Sequence, residues 1–281
     1  MNRLKSIFVS VFISVSVGIC GYASWQLWGT RSWVWAAPLV TTLPFLLFLG
    51  RALALANFAR TSDSLPLLSV VALGGVGIGV YGMLAGLGSG PLALAGVGAI
   101  GFLLYNFWYS KLDRSAPVRI VVGEPLPTLQ LARGDGEPFD GAALKGPSLI
   151  FFFRGNWCPL CMAQIKEVAA QYQELDSLGV NVLLISPQPH GHTRSLAKRF
   201  DVSFEFLVDE NNATARALGI AAEAGLPLGM EVLGYASETV LPTVIVVDAD
   251  GVVRWLDQTD NYRVRPEPET FLPLLRELAA S

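Results

Sequence analysis

Cys158 and Cys161 stand two residues apart, where the apolar run Leu149-Ile150-Phe151-Phe152-Phe153 gives way through Arg154-Gly155-Asn156-Trp157 to a helical pattern. A helix N-terminus presents unpaired N–H groups and the positive end of the helix dipole, and both favour thiolate over thiol. A spacing of three puts the second sulfur one turn on, near enough to close a disulfide. Such a dithiol can cycle between reduced and oxidised forms. The third cysteine, Cys20, is alone in an apolar run and reads as a packing residue. The close pair has a competing structural reading, as half of a zinc site. That reading needs two further ligands. His190 and His192 are the candidates, and a solvated loop, Ser186–Thr193, accounts for them equally well.

The elements that must position this turn follow from periodicity. The run before it is a strand. Behind it, apolar residues at Ile165, Val168, Ala169, Tyr172, Leu175 and Leu178 predict one helix ending at Gly179. Val180–Ile185 is a continuous apolar strand of the kind that parallel sheets bury. Helices are expected over His192–Phe200, Ala213–Leu218 and Glu269–Ala279, and a short strand over Phe204–Val208. Thr243–Val247 and Val252–Leu256 flank Asp248-Ala249-Asp250-Gly251, a hairpin signal. Val118–Val122 and Leu129–Ala132 are expected as early strands. The order is β-α-β followed by a hairpin and a helix, an α/β domain over 118–281.

Upstream the composition changes. Residues 1–116 carry seven Lys/Arg and two Asp/Glu, whereas residues 117–281 carry thirteen and twenty-one. The acidic half and the lack of a basic stripe speak against nucleic acid as a partner. No charge occurs from Ser6 to Thr30 or from Ser32 to Gly50, and the 47 residues Ser64–Ser110 contain no Asp, Glu, Lys, Arg or His. As one helix that last stretch would measure ~70 Å, over twice a hydrocarbon core of ~30 Å. It must fold back, and Gly88-Ser89-Gly90-Pro91 is the turn. Four spans are therefore expected, near 7–28, 33–50, 66–87 and 91–109, with residues 1–110 an all-α lipid-embedded anchor and 111–117 a linker. Glycines four apart (Gly75/Gly79, Gly82/Gly86/Gly90) let those helices approach closely. With four spans, Arg3, Lys5, Arg51, Arg60, Lys111, Arg114 and Arg119 lie on one side and Arg31 on the other. The positive-inside rule then puts both ends, and the α/β domain, in the cytoplasm of a bacterial inner membrane.

The α/β half resembles the peroxiredoxin-like branch of the alkyl hydroperoxide reductase/thiol-specific antioxidant family, on a thioredoxin fold. The resemblance rests on Gly123-Glu-Pro-Leu-Pro127, Leu144-Lys-Gly146, Arg154-Gly-Asn-Trp-Cys-Pro-Leu-Cys161, Leu207-Val-Asp209, Leu241-Pro-Thr243, Asp248-Ala-Asp-Gly251 and Tyr262-Arg-Val-Arg-Pro266. It does not reach the apolar half. Two orders of chemistry are implied. In a thioredoxin-like order Cys158, after Trp157, attacks and Cys161 resolves, with Pro242 a cis-proline against the disulfide. In a peroxiredoxin-like order Cys161 takes the peroxidatic place, Cys158 stands where the family has Thr, Arg154 where it has Pro, and Gln164 where it has Glu. The family's later arginine falls at or near Pro242.

The expectation is a membrane-anchored thiol oxidoreductase that reduces hydroperoxides or disulfides through Cys158 and Cys161. Trp157, Arg154, Pro242 and Gln164 support the pair, and an external thiol reductant supplies electrons without another cofactor or a metal. The alternative is a redox-sensing or partner-binding module whose disulfide signals without turnover. Arg263 and Arg265 either reach the active face or end an exposed strand.

Overall fold

The computed structural model describes residues 2–55, 58–114, 116–141 and 144–280. Ser115 of the expected linker and the terminal Ser281 lie outside them. By contact the chain forms two compact units, one mainly Leu112–Ser281 and the other Leu4–Asn57 with Thr61–Lys111.

The N-terminal unit holds α1 (Asn2–Thr30), α2 (Ala36–Leu55), α3 (Pro66–Leu84) and α4 (Gly90–Leu104), the last continued by a π-helical turn over Tyr105–Tyr109. Among the described residues, four helical segments are long and apolar enough to cross a membrane. Phe12, Phe45, Phe102 and Tyr105 pack at the centre of the unit. Small residues set the helix spacing. A Cβ on Gly75 would meet Thr41 Cγ2 at 2.6 Å, and one on Gly82 would collide with Val34 Cγ1. Gly86 makes no such approach, so the pattern of small residues extends beyond the contacts it serves.

The second unit is built on a six-stranded sheet. Its strands are β1 (Ala132–Arg133), β2 (Ser148–Phe152), β3 (Asn181–Ser186), β4 (Glu205–Val208), β7 (Thr243–Val247) and β8 (Val253–Asp257), in the order β1-β4-β3-β2-β7-β8. A separate pair, β5 (Ala221–Ala222) and β6 (Thr239–Val240), is antiparallel. The helices are α5 (Pro159–Ala170), α6 (Tyr172–Ser177), α7 (His190–Ala197), α8 (Ala213–Leu218) and α9 (Pro268–Ala280). β2 pairs in parallel with β3 and antiparallel with β7, in register from Ser148↔Val247 to Phe152↔Thr243. Every residue of β2 and β7 is buried, as expected for central strands covered on both faces. Ile150, Phe152, Leu183, Ile185 and Ile245 form one core with Leu218 of α8. Phe151, pointing the other way, meets Phe271 of α9 edge-on.

Three expectations need correction. Val118–Val122 is not a strand: Arg119 N–H bonds to Leu218 O and Gly123 N–H to Val253 O, so the segment crosses other elements without a ladder. Only Ala132 of Leu129–Ala132 is in a strand. The single helix expected through Gly179 breaks at Gln171, whose N–H turns to Val168 O in a tighter step before α6 begins.

Candidate active site

β2 ends at Phe152, and its direction carries the chain into Phe153–Trp157 at the N-terminus of α5. Cys158 is the N-cap, extended at φ −88° and ψ 107°, and Pro159 opens the helix, where a missing N–H costs nothing. The turn before it requires Gly155. Its φ is +144°, and a Cβ there would lie 2.6 Å from Trp157 Nε1. The Cys158 N–H closes the turn on Gly155 O at 3.1 Å.

The two sulfurs are 2.6 Å apart, both thiols free, and Cys158 and Cys161 are only 2% and 1% exposed. Cys158 Sγ accepts the Cys161 N–H at 3.4 Å. Arg265, only 5% exposed, places Nη2 3.7 Å from Cys161 Sγ and is fixed by Nε donating to Tyr262 O at 2.9 Å. Burial opposes a charge on either sulfur. On Cys161 it is outweighed by the hydrogen bond from the Cys158 thiol, by Arg265, and by the backbone N–H and guanidinium of Arg154, which lower its pKa to about 6. On Cys158 burial, the hydrogen bond to Cys161 and the charge on Cys161 push the thiol well up, against smaller pulls from Arg265 and Arg154. Distance alone leaves the shared proton on either sulfur. Arg265 and Arg154 pull on both sulfurs, and the net direction is down for Cys161 and up for Cys158, so Cys161 is the more acidic of the pair.

Around the pair, Arg154 lies over the Trp157 ring at 4.7 Å and over Tyr262 at 5.7 Å, and its Nη2 donates to Gly225 O. Trp157 is half-buried, with Nε1 sealed from solvent and unpartnered among the described residues. Gln164, one turn after Cys161, is buried with Nε2 likewise unpartnered. Pro242 departs from expectation. Among the described residues no peptide bond is cis, so Leu241–Pro242 is trans. Neighbouring bonds hold that course: Leu241 N–H to Ile220 O at 2.7 Å, Thr243 Oγ1 to Leu241 O at 2.9 Å, and Arg114 Nη2 to Pro242 O at 2.7 Å.

The histidines have other tasks. His190 joins Arg133 O (3.1 Å) and Glu210 Oε1 (2.9 Å), and His192 Nε2 contacts Leu233 O at 3.1 Å while its ring stacks on Tyr235 at 4.7 Å. Both are half-buried and engaged, not solvated. Among the described residues no group of three or more His, Cys, Asp or Glu is placed to hold a metal.

Sequence reasoning missed Gln188, whose Oε1 accepts the Asn156 N–H at 2.8 Å and whose Nε2 donates to Thr193 Oγ1 at 3.1 Å, bracing the loop. A polar side chain two residues past the end of a buried strand was the available signal. The stretch Tyr262–Pro266 is not an exposed strand end: Arg263 and Arg265 are both buried.

Known proteins place this domain. Residues 122–256 match the AhpC/TSA family. The chain is 22% identical over 157 residues to the thiol-disulfide oxidoreductase ResA of Bacillus cereus, covering 56% of this chain and 78% of that protein. It is 25% identical over 173 residues to the chloroplastic peroxiredoxin Q of Sedum lineare, covering 58% and 86%. Among solved structures, peroxidoxin BcpB from Mycobacterium tuberculosis is similar at a TM-score of 0.46 and 20% identity, covering 57% of this chain and 99% of that one. The segment of residues 122–256, β2, the cysteine turn and β7 included, is an AhpC/TSA-family domain on a thioredoxin-like fold.

Proposed function

We propose that this protein is a membrane-anchored thiol peroxidase in which Cys161 attacks and Cys158 resolves. One observation carries the order of attack: the Arg265 guanidinium lies 3.7 Å from Cys161 Sγ, with Cys158 Sγ 2.6 Å from that sulfur. The Cys161 thiolate attacks the terminal oxygen of a hydroperoxide, the O–O bond breaks, and the alcohol or water leaves with a proton. Cys161 is then a sulfenic acid. The Cys158 sulfur attacks it, the S–S bond forms and water departs, so two electrons from the pair have reduced one peroxide. An external thiol reductant returns the electrons by exchange. Arg265 and Arg154 hold the negative charge through the first step. The four apolar helices anchor the domain, multi-pass, with the domain on the cytoplasmic side.

A second reading keeps the pair and reverses it. Cys158 accepts the Cys161 N–H and caps the helix, which favours a disulfide reductase attacking through Cys158. The two orders separate in the reduced full chain in detergent, mixed with hydrogen peroxide or with a protein disulfide. Cys158→Ser is expected to leave a sulfenic acid on Cys161, trapped by dimedone, and Cys161→Ser to abolish the peroxide reaction. A mixed disulfide trapped through Cys158 in Cys161→Ser, with no peroxide reaction in wild type, would establish the reverse order. Peroxide oxidation that closes the disulfide but does not turn over with any thiol reductant would make the pair a sensor.

A further inference from the structure

The sulfurs of the cysteine turn are almost sealed, and a segment the chemistry does not use packs on the turn that carries them. Between the paired strands β5 and β6 runs a 16-residue loop, Glu223–Glu238. Loops of that length without extended structure are uncommon and usually functional. This one folds against the active-site turn. Leu226, Tyr235 and Ala236 share a small cavity wall with Arg154, Trp157 and Gln188. Tyr235 OH donates to Asn156 Oδ1, the Tyr235 ring stacks on His192 at 4.7 Å and 15°, and His192 Nε2 contacts Leu233 O. Gly225 O receives the guanidinium of Arg154.

The attachment is mostly polar. Leu226 and Tyr235 are buried, whereas Leu228, Val232 and Leu233 face solvent, Val232 at 86% exposure. An element held mainly by hydrogen bonds, a ring stack and the Glu238–Arg216 ion pair at its end opens at lower cost than one held by a core. Its base stays fixed, because Leu226 N–H bonds across to Ser237 O at 3.1 Å. Gly229 (φ +95°) and Gly234 (φ +88°) bracket the single 3₁₀ turn Met230–Leu233, giving hinge positions on both sides of the exposed tip.

We propose that Glu223–Glu238 is a strap that sets substrate class at the Cys158–Cys161 site, with Tyr235 and His192 as its latch. Closed, it admits small molecules such as hydrogen peroxide or short alkyl hydroperoxides. A protein thiol or protein disulfide reaches the sulfurs only after the latch releases. The proposal rests on the reading that this pair is the reacting site, and its test separates the two.

Reduced full chain carrying Cys20→Ser, in detergent, is treated with N-ethylmaleimide and with a polyethylene-glycol maleimide. The two share a reactive group and differ in bulk. With an open state populated at roughly 0.1–10%, the bulky reagent is expected to lag about tenfold or more. Tyr235→Phe and His192→Ala should each shrink that lag by about three- to tenfold, one neutral hydrogen bond or one ring contact each. The N-ethylmaleimide rate, held constant, shows that the turn remains folded in both variants. Equal rates for the two reagents in wild type, or a lag that neither variant changes, overturns the strap. In parallel, hydrogen peroxide is added to wild type and disulfide formation followed. A lag without peroxide oxidation keeps the strap and removes the peroxidase reading. Peroxide oxidation without a lag does the reverse.

Discussion

Arg265 sits outside any helix that the sequence pattern marks, yet its guanidinium lies 3.7 Å from Cys161 Sγ. The pair is buried, so the field of Arg265 and Arg154 is poorly screened and lowers the pKa of Cys161 against the cost of burial. Alkylation of reduced protein should therefore follow a titration near pH 6 that disappears in Cys161→Ser. Arg265→Met should move that midpoint toward the ordinary range, roughly 8.5, and slow alkylation at neutral pH by about tenfold or more. Arg265→Lys should restore part of the shift, since a point charge replaces a fork that also bonds Tyr262 O. If the midpoint stays near pH 6 in Arg265→Met, Arg154 and the helix terminus suffice without it. The same pair makes stability depend on pH. Between pH 6 and 9 folded Cys161 has lost its proton while the unfolded thiol, at 9.0, has kept its own. The unfolded state then binds more protons, so stability of the reduced chain rises with pH across that window. Above pH 9 the order reverses for Cys158, which burial keeps protonated in the fold, and its contribution declines. Denaturation of the reduced chain at several pH values should show the rise in wild type and lose it in Cys161→Ser.

The turn between β2 and α5 is the element on which this chemistry depends, and Gly155 is its tightest point. Gly155→Ala forces a side chain into a left-handed backbone and against Trp157 Nε1 at 2.6 Å. A cost of about 1–3 kcal/mol is expected, measured as a lower unfolding midpoint, with the pH 6 titration displaced because the sulfurs move with the turn. An unchanged midpoint and titration would mean that the loop rearranges freely. The sequence made this element legible because three signals agree there: an apolar strand, a glycine, and a proline at the first helical position. Thr243–Val247 and Ala213–Leu218 were equally plain, and their bounds match β7 and α8. What failed depended on distant partners. Val118–Val122 has strand composition, but which carbonyls its N–H groups find is decided by α8 and β8. Pro242 O likewise takes a partner, Arg114, from more than a hundred residues earlier in the chain. The strap, anchored by strands of two residues each, leaves too short a periodic signal to read. For Arg265 the sequence leaves both the active face and an exposed strand end open, because arginine is usually exposed and nothing local marks its burial.

At the scale of the whole molecule the charge split is the strongest statement in the sequence. Seven cations expected on one side of four apolar helices, against Arg31 on the other, favour an orientation in which the thiol domain shares a compartment rich in thiol reductants. A fluorescent protein that matures only in the cytoplasm, fused after Ser281, should be bright in a bacterial host, and an alkaline phosphatase fused at the same place should be inactive. This even-span topology turns on the fold-back between Leu84 and Gly90, so an insertion that keeps the turn should leave both readouts intact. A dark fluorescent fusion with active phosphatase would put the domain outside, where soluble reductants are scarce. The pair would then need a membrane carrier of electrons. This chain's apolar helices contain Cys20 alone, with Thr42 Oγ1 at 3.1 Å from its sulfur, and one thiol cannot relay a dithiol's two electrons. The reporter therefore also decides where the reductant is to be sought: among soluble thiols on the same side, or in a second membrane protein with a dithiol of its own.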